Sequence, residues 1–259
     1  MARGEFTDIP FAREMLEHLK PQLPSTEGLP SGGLRSYTPF FEARYKSVSR
    51  ILIEQGAKQI LELAAGFSSR GMEWSRRADF QDGVYVETDL PDMIENKRSI
   101  VTAILGSIPA NLNLCCASVL NRSELEHACS SFQKARVAVT TEGLLRYLTF
   151  PEKEQLAANV AAILRQFGGT WITPDIHLRQ WMKEHTGTRL HQRLANDLGR
   201  DVEPNYFDDL AHARSFFERC GFTVEERPLM EGIEVGTLAD ASADMLKQLE
   251  ERRTFVLRV

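Results

Sequence analysis

The stretch ILELAAGFSSRG, residues 60–71, decides how this chain is read. It starts as an apolar strand, crosses a loop of small residues and runs into a helical segment. In α/β folds, a loop between a strand and a helix N-terminus is where backbone approaches a ligand. Its glycines then say which ligand. A dinucleotide loop uses the three glycines of G-x-G-x-x-G to seat a diphosphate. Here those places hold Ala64, Gly66 and Ser69, so two of the three are missing and no diphosphate cradle remains. A cofactor without a diphosphate needs one close backbone approach, which Gly66 supplies.

The same strand, loop and helix alternation continues outward from this loop. Apolar runs at 59–65, 84–90, 112–118, 135–143 and 169–176 predict five strands, and PEKEQLAANVAAILRQF (151–167) is the clearest helix between them. The runs lack clean polar alternation, which predicts a parallel sheet covered on both faces. The second run, VYVETDL, ends in Glu87 and Asp89, 21 and 23 positions after Gly66. A carboxylate there accepts hydrogen bonds from both hydroxyls of a ribose. Two helical pieces precede the sheet, at 14–20 and 40–56, with a Pro/Gly/Ser-rich stretch between them. At the far end, 216–229 and 252–259 predict two closing strands with little helix between, an antiparallel hairpin at one sheet edge.

The 259 residues, 42% hydrophobic and 26% charged, suit one soluble domain. A net charge of −5 and a pI near 5.8 argue against a nucleic-acid partner, which needs a basic face. No apolar run approaches the roughly 20 residues of a membrane span, and the first residues lack the apolar core of a signal peptide. Cys115, Cys116, Cys129 and Cys220 show neither CxxC pairing nor metal-ligand spacing, so they read as reduced thiols of a cytoplasmic protein without a metal. Oligomeric state is left open.

Glu62-x-Ala64-x-Gly66 is a one-methyl variant of the E-x-G-x-G loop of class I methyltransferases that use S-adenosylmethionine (SAM). Longer strings narrow the likeness. ILELAAGFSSRG, VYVETDLPDMIENKR (84–98) and VTTEGLLRYLTFPE (139–152) together resemble the leucine carboxyl methyltransferase family, which includes bacterial polyketide O-methyltransferases; the likeness is good over residues 36 to 170. The resemblance implies a single Rossmann-like α/β domain with a seven-stranded, mostly parallel sheet and an antiparallel terminal strand. Residues 1–55 would form a helical lid, 56–175 the cofactor core, 176–215 an acceptor-lid insertion, and 216–259 the closing helix and strand pair.

The same resemblance implies a cofactor set. Arg44 matches the arginine that holds the SAM carboxylate, although on its helix alone it reads as a solvated arginine. Glu62 and Gly66 belong to the loop, Asp89 matches the ribose acid with Glu87 second, and Ser118 and Val119 fall where the family holds adenine with an Asp-Leu pair. Glu142 matches a glutamate that meets the cationic end of the cofactor. Arg70 matches a family arginine, or else forms a structural ion pair. S-adenosylhomocysteine would be the product.

Methyl transfer from a sulfonium is an in-line displacement, so the enzyme mainly orients nucleophile and methyl in a dry site. A carboxylate acceptor is already ionised at neutral pH, whereas a phenol, near pKa 10, calls for a base. The expected acceptor is the carboxylate of a small molecule or peptide; a phenolic or other hydroxyl is the alternative. Arg146, Tyr147 and His177 are the acceptor-side candidates. Arg146 within EGLLRYL favours an anionic acceptor if it points inward and carries no meaning if it points to solvent. His177 is the best available base, or a histidine merely satisfied in its loop. Two readings of other classes stay open: a nicotinamide-dependent dehydrogenase and a non-catalytic SAM-binding module.

Overall fold

The computed structural model describes residues 8–22, 38–183 and 202–259. The five apolar runs form β1 (Gln59–Leu63), β2 (Val84–Asp89), β3 (Leu112–Cys116), β4 (Val137–Thr141) and β5 (Gly169–Thr173). Each stops short of its expected C-terminal end. The reason is local: Ala64 turns left-handed at φ 50 after β1, Gly143 does so at φ 85 beyond β4, and Pro174 follows β5 without a ladder donor. Between and before the strands lie α1 (Ala12–Leu19), α2 (Thr38–Glu54), α3 (Arg70–Arg76), α4 (Pro91–Leu105), α5 (Arg122–Ala128) and α6 (Phe150–Phe167). The start of α6 is set by a capping box: Thr149 accepts from the Glu152 amide, and Glu152 accepts from the Thr149 amide at 2.7 Å.

Beyond β5 come α7 (Arg179–Lys183), α8 (Leu210–Arg219), β6 (Thr223–Pro228), α9 (Ala243–Glu251) and β7 (Arg253–Arg258). The seven strands run β3-β2-β1-β4-β5-β7-β6, with β7 antiparallel to both of its neighbours. The closing antiparallel pair is therefore as expected, but α9 stands between its strands where little helix was predicted. Its buried stripe is narrow (Met245, Gln248 and Leu249), and one of those three is polar. Of the 176–215 insertion, residues 184–201, with His185, His191 and Arg193, lie outside the described residues.

Alternation along the strands sorts the core into two faces. Leu61, Leu63, Val86 and Val139 point to the side of α6, where Leu156, Val160, Trp171 and Phe217 fill the layer. Ile60, Tyr85 and Ile172 point the other way, onto Ile51 and Leu52 of α2, Trp74 of α3 and Val101 of α4. Glu62 and Glu87, two residues after Ile60 and Tyr85, take that second face and are register partners on β1 and β2. Two acids are thus built into a buried sheet surface, each of which needs a cation or donor to stay there.

Candidate functional site

The loop after β1 is shaped by two left-handed residues, Ala64 at φ 50 and Gly66 at φ 49. An L-residue in that region costs about 1–2 kcal/mol, so Ala64 keeps a glycine's backbone without a glycine's freedom. Neighbouring strand ends hold the loop in place. The Ala65 amide donates to the Thr88 carbonyl at 2.9 Å, and the Gly66 amide donates to Asp89 Oδ2 at 2.7 Å. A methyl added at Gly66 would meet nothing within 4 Å, so this side of the loop is open. Asp89 Oδ1 accepts from the Leu90 amide at 2.8 Å, and each carboxylate oxygen keeps a second lone pair.

Beneath the loop sits Arg70, the first residue of α3, with no exposed surface. It donates to Glu62 Oε1 at 2.7 Å, to Glu142 Oε2 at 2.7 Å and to the Tyr45 carbonyl at 3.3 Å, and its guanidinium lies 4.2 Å from the Tyr45 ring centre. Burial alone would lower its pKa; the facing Glu62 and Glu142 carboxylates outweigh that and hold it well above the ordinary value. Of the two readings of Arg70, the structure gives the ion pair. Tyr85 donates its hydroxyl to Glu62 Oε2 at 2.6 Å, so Arg70 and Tyr85 occupy both Glu62 oxygens. Glu87, fully buried, accepts from the Gly71 amide at 3.2 Å and pairs with Lys97 at 2.5 Å. Burial pushes its pKa up to about 7 against the pull of Lys97.

Glu142, just past β4, is grasped from both sides. Arg44 of α2 donates to its Oε1 at 3.3 Å while Arg70 takes Oε2. Arg44 is 5% exposed, which removes the solvated reading of it, and its Nε is buried without a partner. Arg44 also lies 3.9 Å from Asp175, an acid after β5 that sequence reading passed over. Asp175 accepts from three successive amides, Gly143, Leu144 and Leu145, at 2.6, 2.7 and 3.4 Å, and so orders the turn that carries Glu142 and Arg146. It lies two residues past its strand, much as Asp89 closes β2, and an acid near a strand end was the signal available. The cluster holds three carboxylates (Glu62, Glu142 and Asp175) against two guanidiniums, and suits a cationic ligand.

At the end of β3, the Ser118 amide donates to Glu124 at 2.7 Å and its hydroxyl accepts from the Leu120 amide at 3.3 Å. The Val119 carbonyl accepts from Asn159 at 3.0 Å. The three residues expected on the acceptor side lie on the turn after β4 and on the segment after β5. Arg146 points inward, donating to the Tyr206 hydroxyl at 2.9 Å, with its Nε buried and unpartnered. Its guanidinium lies 5.6 Å from the ring centre of Tyr147. His177 is 8% exposed, and its Nε2 has no partner. Burial, then the positive charges of Arg146, Arg252, Arg44 and Lys153, hold its pKa well below 6.5. Arg252, which leads into β7, had no signal in the sequence.

The statistical description of the leucine carboxyl methyltransferase family matches residues 13–161. No curated protein matches the chain in sequence. Among solved structures, a DUF574 family protein from Streptomyces avermitilis superposes at TM-score 0.59 with 15% identity, covering 96% of this chain and 90% of that one. Magnesium protoporphyrin IX methyltransferase from Synechocystis, with S-adenosylhomocysteine bound, gives 0.55 at 9% identity, covering 96% of each chain. The methyltransferase domain of the bacterial protein CtHen1 gives 0.55 at 13%, covering 85% of this chain and 98% of that one. These likenesses show a shared fold. Among the described residues, no helix is long and apolar enough to cross a membrane.

Proposed function

Since the chain belongs to the leucine carboxyl methyltransferase family, we propose that it methylates a carboxylate of a small molecule or peptide, leaving a methyl ester. S-adenosylmethionine is the donor and supplies, when bound, a sulfonium methyl that the acceptor oxygen takes as the carbon–sulfur bond breaks and its electron pair stays on sulfur. The residues present fit that cofactor. The open side of Gly66 admits backbone contact, the acid-rich Glu62–Glu142–Asp175 cluster suits a cationic group, and the unpartnered Nε of Arg44 suits a carboxylate. Asp89 offers its remaining lone pairs to the ribose hydroxyls, and Ser118 and Val119 flank the adenine position. Glu62 and Glu87 act from below, Glu62 by fixing Arg70 and Glu87 by holding the Gly71 amide.

The observation that carries the carboxylate reading is the state of His177. Cations surround it, and among the described residues no acid orients its ring. An imidazole whose pKa lies well below 6.5 is a weak base toward a phenol near 10. An ionised acceptor needs no base, and the unpartnered Nε of Arg146 supports that residue as the cation for it. At saturating SAM the rate should then stay flat from about pH 6 to 8, because the acceptor's pKa near 4 lies below that window. Glu87 titrates within the window, but it touches Gly71 and Lys97 and not the acceptor side. The product should be an ester cleaved by mild alkali. A rate climbing tenfold over the window, with an alkali-stable ether as product, would turn the assignment to a hydroxyl acceptor.

Cofactor binding gives a second test. Asp89→Ala should weaken SAM binding by about 1–3 kcal/mol, since the ribose loses a charged acceptor and Gly66 loses its tether. Glu87→Ala should shift SAM affinity less and lower thermal stability more, because it strands Lys97 in the core. Calorimetric titration with SAM, beside NADH as the dehydrogenase control, reads affinity; a melt reads stability. A larger affinity loss for Glu87→Ala would move the ribose contact from Asp89 to Glu87.

A further inference from the structure

Two guanidiniums on the acceptor side lack acids. Among the described residues, neither Arg146 nor Arg252 has a carboxylate within ion-pair distance. Arg146 spends one nitrogen on the Tyr206 hydroxyl; Arg252 spends one on Gln248 at 3.3 Å and leaves Nε and Nη1 buried and unpartnered. Two such charges close together are unfavourable. Burial, and then repulsion from Arg44 and Arg146, bring the Arg252 pKa down to about 9. Guanidinium nitrogens buried without a partner carry a desolvation cost, and both arginines keep such nitrogens with no counter-anion among the described residues.

The position of Arg252 says where that anion belongs. Its guanidinium lies 4.1 Å from the ring centre of Phe40, on α2, and 4.3 Å from that of Trp181, on α7. These rings come from the two segments expected to cover the acceptor, and the Nε–Nη1 edge of the guanidinium is left without a partner. The cofactor-side arginines are balanced differently, because Arg44 and Arg70 already face Glu142, Glu62 and Asp175. One ionised acceptor carboxylate answers only one of these two guanidiniums, Arg146 and Arg252.

Resting on the carboxylate reading above, we propose that the acceptor carries a second acidic group beside the one methylated, and that Arg252 holds it while Arg146 holds the reacting carboxylate. Transfer then converts a dianion into a monoanionic ester. The charge lost is the one facing Arg146, so the product binds more weakly than the substrate.

The test uses malonate, succinate and glutarate, each beside its monomethyl ester, titrated into the whole protein saturated with S-adenosylhomocysteine. At least one diacid should bind tenfold or more tightly than its monoester. Arg252→Met should erase that preference without changing S-adenosylhomocysteine affinity, and Arg252→Lys should keep part of it. Equal binding of every diacid and its monoester by the unaltered protein overturns the proposal, as does failure of every diacid to bind at millimolar concentration. A preference that survives Arg252→Met, or a parallel loss of S-adenosylhomocysteine affinity, also overturns it. A diacid preference accompanied by an ether product in the methyl-transfer assay keeps Arg252 as the anion anchor and overturns the carboxylate reading instead.

Discussion

Arg70→Met should cost about 3–5 kcal/mol of folding stability, as expected when one partner of a buried ion pair is removed. Methionine approximates the length of the arginine stem but donates nothing. Glu62 would keep the Tyr85 hydroxyl, and Glu142 would keep Arg44 at 3.3 Å, so neither acid is wholly abandoned. Both lose their 2.7 Å partner at the same moment, however, and Ser49 and the Tyr45 carbonyl lose a donor. For a chain of this size, a loss of that order lowers the melting temperature by about 10 °C or more. Glu62→Gln on the Arg70→Met background should restore part of the loss, because it removes one of the two carboxylate charges that Arg70 faced. A melting temperature of Arg70→Met within a degree or two of the unaltered protein would show that the cluster is far better hydrated than its burial implies.

The second large effect concerns Lys97 and carries a pH signature. Glu87 in the folded chain titrates at about 7, above its ordinary value of 4.5, because burial disfavours its charge. A raised carboxyl pKa means the folded state binds the proton more tightly. Stability tied to this group is therefore fully present below about 4.5 and is lost as pH rises through 7, by an amount on the order of 3 kcal/mol. Lys97→Met removes the one cation paired with Glu87 among the described residues and should drive its pKa higher still. At pH 8 the variant should be about 3–5 kcal/mol less stable than the unaltered protein. Near pH 5.5 the gap should narrow, since methionine then faces a neutral carboxyl. Urea unfolding at both pH values measures this. A gap that widens toward acid would contradict the sign.

Much of the scaffold was legible because it is written in local pattern. Apolar runs located β1 to β5, and the missing glycines around Gly66 excluded a diphosphate cradle. Strand ends were less legible, since several are set by a single residue beyond the strand, as at Ala64 and Pro174. The short α9 was missed because its buried stripe holds three residues, one of them the polar Gln248. Asp89 stood out by its place at a strand end, whereas its hold on the Gly66 amide was not readable from it. Glu62 and Glu87 were read as facing the ligand, yet their alternation puts them on the packed face, and only the positions of Arg70, Tyr85 and Lys97 show what each one serves. Arg252 was illegible for a plainer reason: nothing adjacent to it in sequence hints at Phe40 and Trp181, which lie far away in the chain.

The insertion of β7 between β5 and β6 also bears on how the protein is made. β6 emerges in synthesis before the strand that pairs with it, and its backbone donors must wait through all of α9 for a ladder. Until then β5 is an open edge, and an exposed apolar edge is a template for association with other chains. The nascent chain can thus assemble the strands that carry Gly66, Asp89 and Glu142 while its last two strands are still unpaired, and a truncation before Arg253 would leave it in that state. Such a fragment should be captured by chaperones or aggregate, with the half of the sheet bearing the Gly66 loop formed first and the β5 edge left uncovered.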